Sequence, residues 1–209
     1  MLDVHAPEHK IGGARDFIIH ILTITVGLLI ALGLEASVEA LHNRHEREEA
    51  EATIRAELRD NRDALNKAQA DIKLEEKNMV GVLDFLQARL QNKPADPSGL
   101  TLGFHEGPLQ DSAWRTANST GILRLMDYAQ VQKYSLAYKE QAQFEEMETQ
   151  ALNQYLELDS FVVKGFDPNH VTPDDMKAAI PVVRLALARL VGMQDISHGA
   201  LMAYDEALK

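Results

Sequence analysis

Residues 54–92 read IRAELRDNRDALNKAQADIKLEEKNMVGVLDFLQARLQN. The run has no proline and one glycine, Gly81, and Leu58, Leu65, Ile72, Met79 and Leu86 recur in it every seven residues. Apolar residues at that interval make a continuous seam along one side of a helix, so the stretch predicts a long helix with a core-facing edge. The companion heptad positions, Ile54, Asn61, Ala68, Glu75 and Val82, are mixed in character. A seam of that kind predicts burial against unlike helices rather than a tight symmetric zipper.

The same helix extends upstream. Nothing interrupts it from about Ala36, and no large apolar residue lies between His42 and Thr53. Residues 35–53 therefore read as a hydrated helical stalk, whose twelve least apolar residues would lift the following domain by ~18 Å. Before the stalk, residues 17–34 (FIIHILTITVGLLIALGL) carry no Asp, Glu, Lys or Arg. Eighteen residues span ~27 Å as a helix, near the lower limit for crossing a bilayer core. A secretory signal peptide is the competing reading, since Lys10 and Arg15 precede the run and Ala31-Leu32-Gly33 resembles a cleavage site. A signal core is usually about 7–15 residues long, however, and here the helical pattern continues without a break into Glu35 and Glu39. The segment is read as an uncleaved transmembrane helix after a tail of residues 1–16.

Within that helix His20, Thr23, Gly27 and Ala31 follow 3-4-4 spacing and share one face. Small residues four apart let a second helix approach closely in lipid, so the stripe predicts contact with another transmembrane helix, of this chain or of a larger membrane complex. His20 lies four residues into the run, shallow enough for its ring to be solvated at the headgroups. A proton-relay, haem or metal role is the sharper reading, and it suits deep ionisable groups better.

Beyond residue 92, KPADPSG (93–99) stops the helix. A short helix follows in PLQDSAWRTANST, opening near Pro108 and closing at Gly121. Asp127 is placed to cap a second long helix to about Val163, with Val131, Tyr134, Tyr138, Phe144, Leu152, Tyr155 and Val162 inward. GFDPNHV (165–171) is the next break. Thr172-Pro173-Asp174-Asp175 then starts a last helix to about Leu208, with a capping threonine, an early proline and two acids on its positive end. Its inward positions are Met176, Ile180, Val183, Leu187, Leu190, Leu201 and Tyr204, and Pro181 should kink it or shift its start.

The fold class is thus all-α: one N-terminal transmembrane helix continuing into a stalk that joins a three- to four-helix bundle at 54–209. Helix lengths suggest that 127–163 returns from the far end of the first helix towards Ile54. That would turn the 165–172 loop to the membrane and point the C-terminus away.

Charge narrows the partners. The chain has 21 basic and 32 acidic residues, and setting aside Lys10, Arg15, Asp3, Glu8, Asp16 and Glu35 leaves 19 and 28 in 36–209. So acidic a domain disfavours nucleic acid and anionic membrane surfaces. The absence of cysteine excludes disulfides, thiolate metal sites and cysteine nucleophiles. Lys10 and Arg15 are balanced by Arg44 and Arg47 across the span, so basic residues do not set orientation. A short tail is easier to retain than a long domain, which places the N-terminus in a bacterial cytoplasm and the domain in the periplasm.

Glu39-Ala40-Leu41-His42 has the E-x-x-H spacing of di-iron bundles, and Asp195-Ile196-Ser197-His198 echoes it. A metal centre needs two such pairs and two more carboxylates converging in one core, which these positions do not predict. Helical i,i+4 pairing among His42, His45, Glu46 and Glu49 explains the stalk better. His5 and His9 lie in a tail with proline and glycine. No glycine-rich phosphate loop, G-x-S-x-G or H-E-x-x-H motif occurs, so neither an enzyme nor a cofactor is expected. Trp114, the single tryptophan, most simply plugs one end of the bundle. The sharper reading makes it a lid over a pocket lined by Tyr134, Tyr138 and Tyr155.

The tail HAPEHK, the span TITVGLLIALGLE, the charged HNRHEREEAEATIRAELRDN and the segment AWRTANSTGILRLM cover about half the chain. On these pieces it resembles a family of uncharacterised bacterial single-span membrane proteins. The resemblance implies an anchored helical protein with an extracytoplasmic domain, and it brings no assigned activity or catalytic residues. Two functions follow as expectations. One is an accessory or scaffold protein associating through its transmembrane helix. The other is a ligand-binding sensory bundle that signals through a partner.

Overall fold

The computed structural model describes residues 13–96, 98–162 and 172–209, and these are all-helical, without a strand. Helix α1 spans Ala14–Leu90, α2 Ser112–Thr120, α3 Tyr128–Val162 and α4 Pro173–Ala207, with a 3₁₀ turn at Ile122–Leu125. The inward side chain assigned to Val162 and the break at 165–171 lie outside the described residues. The chain divides into two compact units, Met1–Glu48 and Glu49–Lys209.

In the first unit α1 begins just after Gly13 and carries its apolar side chains outward. Every large apolar residue from Phe17 to Leu41 is exposed. Its hydroxyls are satisfied locally: Thr23 Oγ1 donates to the Ile19 carbonyl at 2.9 Å and Ser37 Oγ to that of Gly33 at 2.7 Å. Among the charged residues that follow, His42 Nε2 meets Glu46 at 3.0 Å and Arg44 Nε meets Glu48 at 2.8 Å, both i,i+4 pairs.

The second unit holds the core. Both heptad positions of α1 are buried throughout, from Ile54 and Leu58 to Val82 and Leu86, including Asn61 and Glu75. The same 3-4 alternation governs α4, where Met176, Ala179, Val183, Ala186, Leu190, Met193, Ser197, Ala200, Tyr204 and Ala207 are all buried. In α3 the buried set includes Tyr134, Ala137, Gln141, Phe144, Ala151, Tyr155 and Leu158. Ile180, Leu187, Leu201, Val131 and Leu152 are only half-buried. They lie beside a seam whose centre is taken by alanines, and those alanines let α3 and α4 bring Cα atoms within 8 Å of each other.

Helix ends follow their local chemistry. Asp127 Oδ2 accepts from the Gln130 amide at 3.1 Å at the start of α3. Thr172 and Asp175 form a reciprocal capping box at α4, with Pro173 in its first turn. Gly121 closes α2 at φ 73°, a left-handed conformation open to glycine at little cost. The short helix starts at Ser112 rather than Pro108, because residues up to Gln110 are engaged with α1. Pro181 neither ends nor restarts α4, which runs through it. It lies on the exposed face, as does Lys177 one turn earlier, so water can satisfy the carbonyl that loses its partner.

Helix direction differs from the expectation. Tyr138 bonds Glu57 and Gln141 bonds Asn61, so positions in α1 and α3 rise together and the two helices are parallel. Gln69 bonds Ser197, Arg62 meets Asp205, and Arg55 reaches the Leu208 carbonyl, so α4 is antiparallel to α1. Within this unit Leu208 therefore lies beside Arg55, and the last turn of α3 and the first turn of α4 lie towards the opposite end. The return along α1 is made by extended chain. Leu100 touches Gly81, Thr101 accepts from Asn78, His105 meets Glu75, Gly107 lies on Ala68, and Gln110 bonds Asn61. Going from Gly81 to Glu57 takes ~36 Å of helix, and residues 100–112 extended cover ~40 Å.

Gly107 is required by this close approach, since a Cβ there would lie 3.1 Å from the Ala68 Cβ. Gly107→Val should lower the unfolding free energy of the detergent-solubilised chain by about 1–3 kcal/mol in urea titrations. In an Ala68→Gly background the same substitution should cost less by more than ~0.5 kcal/mol. Equal costs in both backgrounds would mean that the strap does not rest on Ala68.

Candidate functional site: an exposed apolar helix and an aromatic cleft

The first candidate is the exposed stretch of α1. An 18-residue window in it is long and apolar enough to cross a membrane by length and composition, and none of that window is buried. His20, Thr23, Gly27 and Ala31 are all exposed. A Cβ at Gly27 would meet nothing within 4 Å. Thr23 already donates to Ile19, so its hydroxyl presents mainly acceptor capacity. The exposed apolar surface continues past Glu35 through Val38 and Leu41, beyond the boundary set by charge at residue 34.

The second candidate is where α2 meets α3. Trp114 lies nearly parallel to Tyr138, with ring centroids 5.4 Å apart and planes 13° apart. Together they line an open cleft of about 380 Å³, bordered also by Asp111, Arg115, Lys139 and Glu145. The four aromatic residues of the sequence reading do not form a single pocket. Tyr134 is fully buried, and Tyr155 packs against Phe104 at 5.0 Å; neither lines the cleft. Trp114 itself is only half-buried, as a wall of an open groove rather than a lid or an end plug.

Below the cleft runs a set of buried polar side chains. Tyr138 Oη donates to Glu57 Oε1 at 2.7 Å, while Glu57 Oε2 accepts from Ser112 Oγ at 2.7 Å and from the Ala113 amide at 2.8 Å. A carboxylate on α1 thereby caps α2, whose own Asp111 forms no side-chain cap. Asn61 donates to the Gln110 carbonyl at 2.6 Å and accepts from its amide at 2.8 Å. It also donates to Gln141 Oε1, which takes the Tyr204 hydroxyl at 2.9 Å. Glu75 Oε1 accepts from the His105 amide at 2.7 Å and from Nδ1 at 3.1 Å, and Glu148 accepts from the Gly107 amide at 2.8 Å. Sequence reading placed Asn61 and Glu75 on a seam but did not foresee their partners. Nothing in the sequence singles out Glu57, Gln141 or Glu148, since the groups that hold them in place are distant in sequence.

Burial raises the phenol pKa of Tyr138, with the Glu57 bond adding to the effect; burial also raises those of Tyr155 and Tyr204. Glu75 and Glu148 are raised above the ordinary carboxylate value by burial, which outweighs the His105 and Gly107 hydrogen bonds.

His42 bonds Glu46, and His198 Nδ1 lies 2.8 Å from the Gln194 carbonyl and 3.4 Å from Gln69. Among the described residues no group of three His, Asp or Glu is arranged to hold a metal ion. His5 and His9 lie outside those residues. Compared with family models, curated proteins and solved structures, the chain matches none.

The raised carboxylates predict a pH dependence. A carboxyl group with a higher pKa folded than unfolded contributes stability fully below its unfolded value, near 4.5 for Glu75 and Glu148. That contribution fades as pH rises through the folded value. Replacing both by glutamine keeps an acceptor and removes the charge. The stability of Glu75→Gln/Glu148→Gln relative to the parent chain should therefore increase from pH 4.5 to 7, read from urea midpoints. A difference that stays flat or declines would show that burial does not dominate their ionisation.

Proposed function

We propose that the protein is a single-pass, membrane-anchored accessory or scaffold protein of the bacterial cell envelope. In this reading residues 17–34 cross the inner membrane, residues 1–16 are cytoplasmic, and 35–53 form a stalk. Residues 54–209 form a periplasmic helical bundle in which α1, α3 and α4 pack around coiled-coil-like seams. The transmembrane helix associates with itself or with a larger membrane complex through His20, Thr23, Gly27 and Ala31. The role is non-enzymatic. One observation carries the reading: the large apolar residues from Phe17 to Leu41 are all exposed, whereas the second unit buries its own heptad seams. An apolar surface of that extent needs a partner, and lipid is the partner that an eighteen-residue helix fits. The resemblance to uncharacterised bacterial single-span membrane proteins points the same way.

A second reading, a ligand-binding sensory domain signalling through a partner, is favoured by the cleft beside Trp114. It differs in what the second unit recognises and shares the anchor.

The anchored reading predicts that the native chain resists alkaline and urea washes of membranes and is released by detergent. Gly27→Leu/Ala31→Leu should shift its detergent complexes to smaller mass by analytical ultracentrifugation. Since the chain has no cysteine, Ser119→Cys offers a single thiol on an exposed part of α2. A membrane-impermeant maleimide should label it in cells with a permeabilised outer membrane and an intact inner one. Release by alkaline wash refutes the anchor, unchanged mass refutes the contact stripe, and labelling only after inner-membrane lysis refutes the orientation.

A further inference from the structure

Ile24, Gly27, Ala31, Leu34, Val38 and Leu41 follow one another on α1 at intervals that alternate between three and four. That alternation sets them along one side of the helix, at the a and d positions of a heptad. All six are exposed. Gly27 and Ala31 belong to the stripe already described. Ile24, Leu34, Val38 and Leu41 extend it in both directions with large side chains, each about two-thirds exposed.

The upper part of this seam lies beyond the reach of lipid. Glu35 is the first charged residue after the span, and Leu41 follows it by six residues, about 9 Å along the helix. Around Val38 and Leu41 the helix carries Glu39, His42 and Arg44, the last two paired with Glu46 and Glu48. Apolar side chains scattered singly on a hydrated helix need no partner, but a strip in heptad register does.

The residue types select that partner. A β-branched residue at a with leucine at d favours two parallel strands, and Val38 lies at a between Leu34 and Leu41 at d. Below them Gly27 and Ala31 let the same two helices approach closely in lipid. A second copy inserted with the same orientation presents the same face at the same height, so the surface is complementary to itself. The flanking e and g positions, Glu35, Ser37, His42 and Arg44, hold no block of like charge to repel it. His45 and Glu48 take the next a and d positions, and the apolar seam ends there.

We infer that Leu34, Val38 and Leu41 form a short parallel two-stranded coiled coil with a second copy of this chain, just above the span. The inference deepens the membrane-contact reading and rests on residues 17–34 as the span.

The chain has no cysteine, so single thiols can be introduced one position at a time. In native membranes under mild oxidation, Val38→Cys and Leu41→Cys should each give a disulfide-linked product of twice the chain mass. Glu39→Cys and Ala40→Cys, at b and c, should stay at the mass of one chain. All four positions are exposed, so the substitutions leave the packed seams intact. The inference is overturned if the four positions cross-link alike, if none does, or if the product carries the mass of a different partner. Absence of cross-links in a chain that resists alkaline washing refutes the coil and leaves the anchor standing. Release by the wash with the cross-links intact refutes the anchor and keeps the pairing.

Discussion

Residues 100–111 return along α1 as extended chain with no neighbouring strand, and the peptide groups turned towards α1 and α3 find partners in side chains. A buried amide or carbonyl left unpaired costs about 1–3 kcal/mol, which sets the scale of what each such partner contributes. Glu75, Glu148, Asn61, Gln141 and Glu57 supply the answering atoms in order along the path. Polar residues within a heptad seam weaken a simple coiled coil. Here they fix where the strap lies, because each pairs with the main chain of one residue at one height along the helix. Apolar side chains alone would give the strap adhesion without register.

That strap sets the helix directions. A short turn after α1 would bring the next long helix back antiparallel, as is usual for helical hairpins. Because the extended segment travels back first, α3 rises parallel to α1, and α4 then descends. The alanines of α4 fit this arrangement. They draw it against α3, while α1 presents larger side chains such as Ile54, Leu58, Leu65 and Met79. Mixed separations are what a strap lying on α1 requires.

The sequence was most legible where local chemistry or a long repeat decides structure. The α1 seam is visible in five heptads, the end near Asn92 in the prolines that follow, and the start of α4 in Thr172-Pro173-Asp174-Asp175. The apolar stretch at 17–34 is equally plain. Helix direction was not legible, because the lengths of α1 and α3 permit an antiparallel return as readily as a parallel one. What decides between them is the conformation of residues 93–111. Prolines and glycines there signal the end of a helix, but they do not tell a compact turn from a long strap. Asn61 and Glu75 did stand out as misfits on the seam. Their misfit was the trace of the strap, readable only once their main-chain partners are known. The cleft was half legible: Trp114 and Tyr138 meet, whereas Tyr134 and Tyr155 were grouped with them for being aromatic rather than for position.

Glu57 joins these levels. Its carboxylate accepts at once from α2 and from the Tyr138 hydroxyl, so one side chain on α1 holds both walls of the aromatic cleft. Trp114 is carried by the helix that Glu57 caps, and Tyr138 is oriented by the bond to its other oxygen. The stacking of the two rings is thereby a consequence of α1 rather than an independent contact between α2 and α3. Neither ring could shift far without leaving a lone pair of a buried carboxylate unsatisfied, and that cost rises with burial.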